Sequence, residues 1–152
     1  VCIITGAAGF IGLETTRRLL SEGVKAVMVD IDEAKLKSAR ESVASSIPGA
    51  RDHDSSLILT IRADVTAEGD VESFVDQTVK HFGRLDSAFL CAGLSYASTP
   101  VLDTSVDLFD KIMEVNCRSG TKHVFVLPQG PRSSGLSHHL SSMPPIKHLI
   151  ST

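Results

Sequence analysis

A short apolar run followed by a stretch of helical periodicity recurs four times between residues 1 and 116, and this alternation restricts the fold more than any other feature. Residues 1–5 (VCIIT) and 24–30 (VKAVMVD) read as strands buried on both faces, and 57–62 (LILTIR) and 85–93 (LDSAFLCAG) as a third and a fourth strand. Between them lie four helical patterns. Residues 10–22 carry Ile11, Thr15 and Leu19 on one stripe, with Gly23 as a stop. Residues 32–46 open on Asp32 as a cap and carry Leu36, Ala39 and Val43. Residues 67–82 carry Val71, Val75, Val79 and Phe82 and close on Gly83, and residues 106–116 carry Val106, Phe109, Ile112 and Met113. The segment 47–56 (IPGARDHDSS) reads as a loop. Parallel strands need crossover connections, and these are right-handed, so helices must cover both faces of one sheet. The expected fold is α/β, a doubly wound parallel sheet cut off after about four strands.

Composition bounds the function classes. With 152 residues the chain holds one ordinary domain, and 42% hydrophobic with 22% charged residues is a globular rather than a disordered balance. A net charge of -3 leaves no basic footprint for nucleic acid. No apolar run reaches the roughly 18 residues that a membrane span needs. No basic segment precedes an apolar one as in a secretory signal, and Cys2, Cys91 and Cys117 have neither disulfide nor zinc spacing. The expectation is a cytoplasmic protein with no metal, no nucleic acid and no membrane as partner. A Val at position 1 also suggests a trimmed chain.

The last 25 residues differ from the rest. Every acidic residue lies at or before Glu114, whereas residues 128–152 hold four of the six prolines, six serines and three of the six histidines. The expected division is a domain over 1–127 and an irregular tail over 128–152. His138 and His139 are adjacent, which suits an unstructured tail better than a metal site, because neighbouring residues rarely face one ion.

The turn after the first strand carries chemistry. Gly6, Gly9 and Gly12 stand between a buried strand and a helix, and Asp30 ends the next strand 18 residues beyond Gly12. Gly6 permits a tight turn, Gly9 leaves no side chain between backbone and a diphosphate, and Gly12 lets the helix pack closely on the sheet. The helix N-terminus offers unpaired N–H groups and a partial positive charge. The Asp30 carboxylate suits ribose hydroxyls and would repel a 2′-phosphate, while Ala7 and Ala8 supply no cation, so NAD is expected over NADP.

These residues resemble the short-chain dehydrogenase/reductase family, over about residues 1–122, roughly the first half of a family domain. TGAAGFIG looks like its glycine motif, with Phe10 where the common form has glycine. The resemblance implies a Rossmann-like fold and cofactor contacts from Thr5, Gly6, Gly9, Phe10, Ile11 and Gly12. It implies that Asp64 meets the adenine amino group and Val65 the adenine ring. CAG resembles the family's Asn-Ala-Gly, with Cys91 in place of asparagine, and places Ala92 and Gly93 beside the nicotinamide ribose. By the same resemblance Asn116, in EVNCRSG, is the catalytic-relay asparagine that holds a water.

The family moves a hydride between nicotinamide and a carbonyl or carbinol carbon, using a Tyr tuned by a Lys four residues on and a Ser that orients the substrate oxygen. The single tyrosine here, Tyr96, is followed four residues later by Pro100 rather than Lys, and reads as a loop residue. Ser141 or Ser142 stands near the family serine's distance from Asn116, but Pro144 and Pro145 follow directly. The Tyr-Lys pair would fall beyond Thr152. The resulting expectation is an NAD-dependent oxidoreductase of an alcohol or ketone, seen as an incomplete chain with weak or no NAD binding and no turnover. Two alternatives stand beside it: a non-catalytic dinucleotide-binding module, and a nucleotide-sugar epimerase-like member suggested by the glycine spacing. A homo-oligomer is left open, and an unpaired sheet edge favours self-association.

Overall fold

A computed structural model describes residues 1–46, 56–96 and 100–120. The segment 47–55, the KHVFVLP run, Ser141, Ser142, the two adjacent histidines and the tail 128–152 lie outside the described residues.

The elements follow the expected order: β1 (Cys2–Thr5), α1 (Phe10–Ser21), β2 (Ala26–Asp30), α2 (Glu33–Ser46), β3 (Ile58–Arg62), α3 (Glu68–Phe82), β4 (Ser87–Leu90) and α4 (Val106–Met113). A one-turn 3-10 segment, Val101–Asp103, precedes α4, and a π-helical turn, Glu114–Arg118, continues it. The sheet is parallel throughout, in the order β3-β2-β1-β4. The chain leaves β1 for β2 and β3 on one side and then returns to set β4 on the other. The carboxyl ends of β1 and β4 therefore flank the point where strand order reverses, which is where open α/β sheets form a crevice.

Alternation of side chains divides the core into two layers. Cys2, Ile4, Met28 and Ile58 meet Leu20 of α1 and Leu36, Ala39 and Val43 of α2 on one face. Ile3, Val27, Val29 and Ile61 meet Val71, Phe74 and Val75 of α3 on the other. Strands β1 and β2 are buried on both faces, which is why their sequences show no polar alternation. Asp32 caps α2, accepting from the backbone N–H of Lys35 at 3.0 Å, and Gly83 ends α3 at φ 75°, in the left-handed region.

Three helical stripes differ from their expectation. The face of α1 that packs on the sheet is Gly12, Thr16 and Leu20, one residue on from Ile11, Thr15 and Leu19. The reason is steric: without a Cβ at Gly12 the helix sits directly against the Gly6–Ala7 backbone, and this line rather than the apolar one faces inward. In α3, Phe74 and Thr78 join the buried face, whereas Val79 and Phe82 are half-buried. In α4, Val106, Phe109 and Met113 stand 73%, 55% and 41% exposed among the described residues, so the apolar stripe read from sequence is not a core stripe there.

Candidate functional site

The turn after β1 is shaped by two glycines for internal reasons. Gly6 has φ +66°, and a Cβ on it would lie 2.8 Å from the Ala92 Cα. A Cβ on Gly12 would lie 2.3 Å from the Gly6 carbonyl oxygen. Gly9 is different. Its φ of -77° is ordinary, and a Cβ there would lie 3.3 Å from the Gly6 oxygen, a tight contact but far milder than those at Gly6 and Gly12.

Helix α1 begins at that point with no side-chain cap and no acid in its first turn. Its first N–H groups have no intrahelical partner, so its positive end opens onto the crevice. Phe10 and Ile11 stand 83% and 62% exposed on its rim.

Asp30 closes the crevice on the β2 side. Its Oδ2 accepts from the Ala8 backbone N–H at 3.0 Å and its Oδ1 from that of Asp32 at 3.1 Å. The carboxylate thus holds the glycine turn as well as bordering the crevice. The neighbouring Asp32 carboxyl sits below the usual carboxylate range, first through the Lys35 backbone N–H and then through the Lys35 ammonium, whose own pKa is raised in return.

The third and fourth strands complete the walls. Asp64 and the largely buried Val65 line the crevice after β3, and Cys91, Ala92 and Gly93 line it after β4. The Thr66 N–H and hydroxyl both donate to Asp64 Oδ1, at 2.9 and 2.7 Å. The crevice has a volume of about 660 Å³, a size suited to a cofactor.

Two expected contacts have another visible role. Thr5 is 1% exposed and does not line the crevice; its Oγ1 accepts from the backbone N–H groups of Cys91 and Ala92 at 3.1 and 3.2 Å, tying the exits of β1 and β4 together. Asn116 is not on the crevice wall either. The π-helical turn presents its amide to Leu94, accepting from the Leu94 N–H at 2.7 Å and donating to the Leu94 carbonyl at 3.0 Å. A Cβ on Gly93 would lie 3.3 Å from the same Asn116 Oδ1.

Sequence reasoning missed Ile31, 56% exposed beside Asp30, and Lys111, Glu114 and Val115 on the opposite wall. An apolar residue directly after the strand-end acid is a signal that could have found Ile31. Nothing local marks the other three, which reach the crevice only through the packing of α4 and its continuation.

The residues present fit a dinucleotide: an uncapped helix N-terminus, a turn that carries no side chain at Gly9, and a carboxylate at the end of β2. Among the described residues no three His, Cys, Asp or Glu side chains converge to hold a metal ion, and no helix is long and apolar enough to cross a membrane.

Comparison with known proteins agrees with this geometry. A family model described as enoyl-(acyl carrier protein) reductase matches residues 6–126. Levodione reductase of Leifsonia aquatica is 34% identical over 118 residues, covering 78% of this chain and 42% of that protein. Short-chain dehydrogenase reductase 4 of Arabidopsis thaliana is 38% identical over 124 residues, covering 82% of this chain and 38% of its own length. The chain thus spans about two fifths of these curated relatives. Among solved structures, NAD+-bound xylitol dehydrogenase superposes with a TM-score of 0.72 at 31% identity, covering 83% of this chain and 45% of that one. Levodione reductase superposes at 0.73 and 31%, covering 82% and 46%. With a doubly wound parallel sheet, a glycine turn at its reversal point and this match over most of its length, the chain belongs to the short-chain dehydrogenase/reductase family.

Proposed function

We propose that the crevice binds NAD and that the chain forms the cofactor-binding part of an NAD-dependent oxidoreductase acting on an alcohol or ketone. The observation that carries this reading is the convergence of the Gly9 turn, the uncapped α1 N-terminus and the Asp30 carboxylate on one crevice.

The roles follow from chemistry. The first N–H groups of α1 hold the diphosphate, and Gly9 lets it approach the backbone. Asp30 accepts from the adenosine ribose hydroxyls, and its charge disfavours a 2′-phosphate, so NAD is preferred over NADP. Asp64 accepts from the adenine amino group, and Val65 with Ile31 borders the ring. Phe10, Ile11, Cys91, Ala92 and Gly93 shape the nicotinamide side, held in register by Thr5. Asn116 fixes the loop after β4 through Leu94, and its relay role is carried over from the family. When bound, the nicotinamide supplies or accepts the hydride, and the substrate is a small-molecule alcohol or ketone.

A second reading, a dinucleotide-binding module without turnover, draws on Tyr96, the single tyrosine, whose fourth following residue is Pro100 rather than Lys. The named relatives are reductases and dehydrogenases, which favours these readings over an epimerase.

Titration of NADH and NADPH by fluorescence and calorimetry tests the proposal. NADH should bind at least tenfold tighter than NADPH, about 1.4 kcal/mol. Asp30→Asn should narrow that ratio. Absence of binding by either nucleotide overturns the reading, whereas alcohol oxidation with NAD by a longer chain that carries a Tyr-x-x-x-Lys pair selects the enzyme over the module.

A further inference from the structure

We propose that Asp70, which does not line the crevice, is a positioning residue for adenine recognition: it fixes the turn that aims Asp64. This rests on the dinucleotide reading above.

Asp70 is the third residue of α3, where an acidic side chain ordinarily reaches back to the helix's own capping residue. The capping position here is Ala67, whose backbone N–H is already taken by the Asp64 carbonyl. The Asp70 carboxylate reaches further, and its Oδ2 accepts from the Asp64 backbone N–H at 2.8 Å. The rest of the turn closes around the same residue. The Ala67 N–H donates to the Asp64 carbonyl at 3.0 Å, and the Thr66 N–H and hydroxyl donate to Asp64 Oδ1. The Asp70 N–H in turn donates to the Ala67 carbonyl at 3.1 Å.

Asp64 therefore has its N–H, its carbonyl and one carboxylate oxygen engaged inside one turn. The carboxylate is held at its backbone end by Asp70 and at Oδ1 by Thr66, which leaves Oδ2 to meet a donor on the crevice side, and among the described residues no hydrogen bond reaches it. Asp64 lines the crevice, whereas Asp70 does not. A side chain that only capped α3 would affect the helix and leave the direction of Asp64 unchanged. A side chain that aims Asp64 must also affect which base is accepted.

The base itself provides the readout. Nicotinamide hypoxanthine dinucleotide replaces the adenine amino donor by a carbonyl oxygen, and so removes the group that Asp64 would bond. The chain should bind NAD about tenfold tighter than this analogue, the ordinary worth of one hydrogen bond to a charged acceptor. In Asp70→Ala that ratio should fall to within about twofold of unity, and in Asp70→Asn, which keeps an acceptor oxygen, it should persist. Asp70→Leu, near in size and without the acceptor, should behave as Asp70→Ala does and serves if the alanine variant does not fold. Thr78→Ala, on the buried face of the same helix, should lower the melting temperature and leave the ratio unchanged. An unchanged ratio in folded Asp70→Ala or Asp70→Leu overturns the proposal, as does equal binding of the two dinucleotides by the unaltered chain. If the unaltered chain binds neither, the dinucleotide reading itself fails and this inference goes with it.

Discussion

Asn116 grips Leu94 by both ends of its side-chain amide, with Oδ1 2.7 Å from the Leu94 N and Nδ2 3.0 Å from the Leu94 O. The pair bridges 22 residues and ties the loop leaving β4 to the π-helical turn after α4. Asn116→Ala removes both bonds. Because they are solvent-accessible, the loss should be about 1 kcal/mol. A urea midpoint series checks this, together with faster amide exchange at Leu94; an unchanged exchange rate there would show that the loop does not depend on the clamp.

The glycines of the first turn should separate stability from binding. Gly12→Ala drives a Cβ to 2.3 Å from the Gly6 carbonyl and should cost several kcal/mol, on the order of 3 or more, as overpacking against backbone does. Gly9→Ala meets only one contact at 3.3 Å and should cost no more than about 1 kcal/mol while weakening NADH binding at least tenfold. Circular dichroism melts paired with NADH titrations measure both. Equal loss of stability in the two variants would contradict the assignment of Gly9 to the ligand.

The cysteines provide an internal control for occupancy of the crevice. Cys91 lines it and is half-buried, Cys117 is exposed, and Cys2 is buried. NADH at saturation should slow maleimide labelling of Cys91 several-fold and leave Cys117 unaffected. Mass spectrometry of the labelled peptides distinguishes them, and equal protection at both sites would point to a general tightening of the chain instead.

Acid should act through surface carboxylates. The Arg84 guanidinium beside Asp86 holds its carboxyl below the usual carboxylate range. A pKa lower in the folded than in the unfolded state contributes stability above the unfolded value and loses it as pH falls below about 4. Both partners are in solvent contact, so the contribution is small. Asp86→Asn should leave the urea midpoint at pH 7 slightly lower and reduce its further fall between pH 4 and pH 2.5. A variant whose acid limb runs parallel to the unaltered chain would assign that limb to other groups.

Local rules made much of this protein legible. The unbroken apolar runs of β1 and β2 reflect burial on two faces, and Leu36, Ala39 and Val43 are buried at their expected helical spacing. Gly6 and Gly12 are required by φ and by close approach, and the strand-end position of Asp30 follows from the unbroken apolar run of β2 ending at its first charged residue. Each of these depends on chemistry within a few residues of chain, and so it leaves a mark in the spacing of residue types. Tertiary structure alone decided the rest. Nothing in the spacing says that Thr5 would brace Cys91 and Ala92, that Asp70 would reach past its own helix to Asp64, or that Asn116 would meet Leu94. Likewise, α1 turned its small residues inward and left Phe10 and Ile11 on the rim, against the apolar stripe. The physical reason is common to all of them: a hydrogen bond or a close helix–sheet contact is set by where two backbones meet in space, and periodicity along one segment carries no record of its partner.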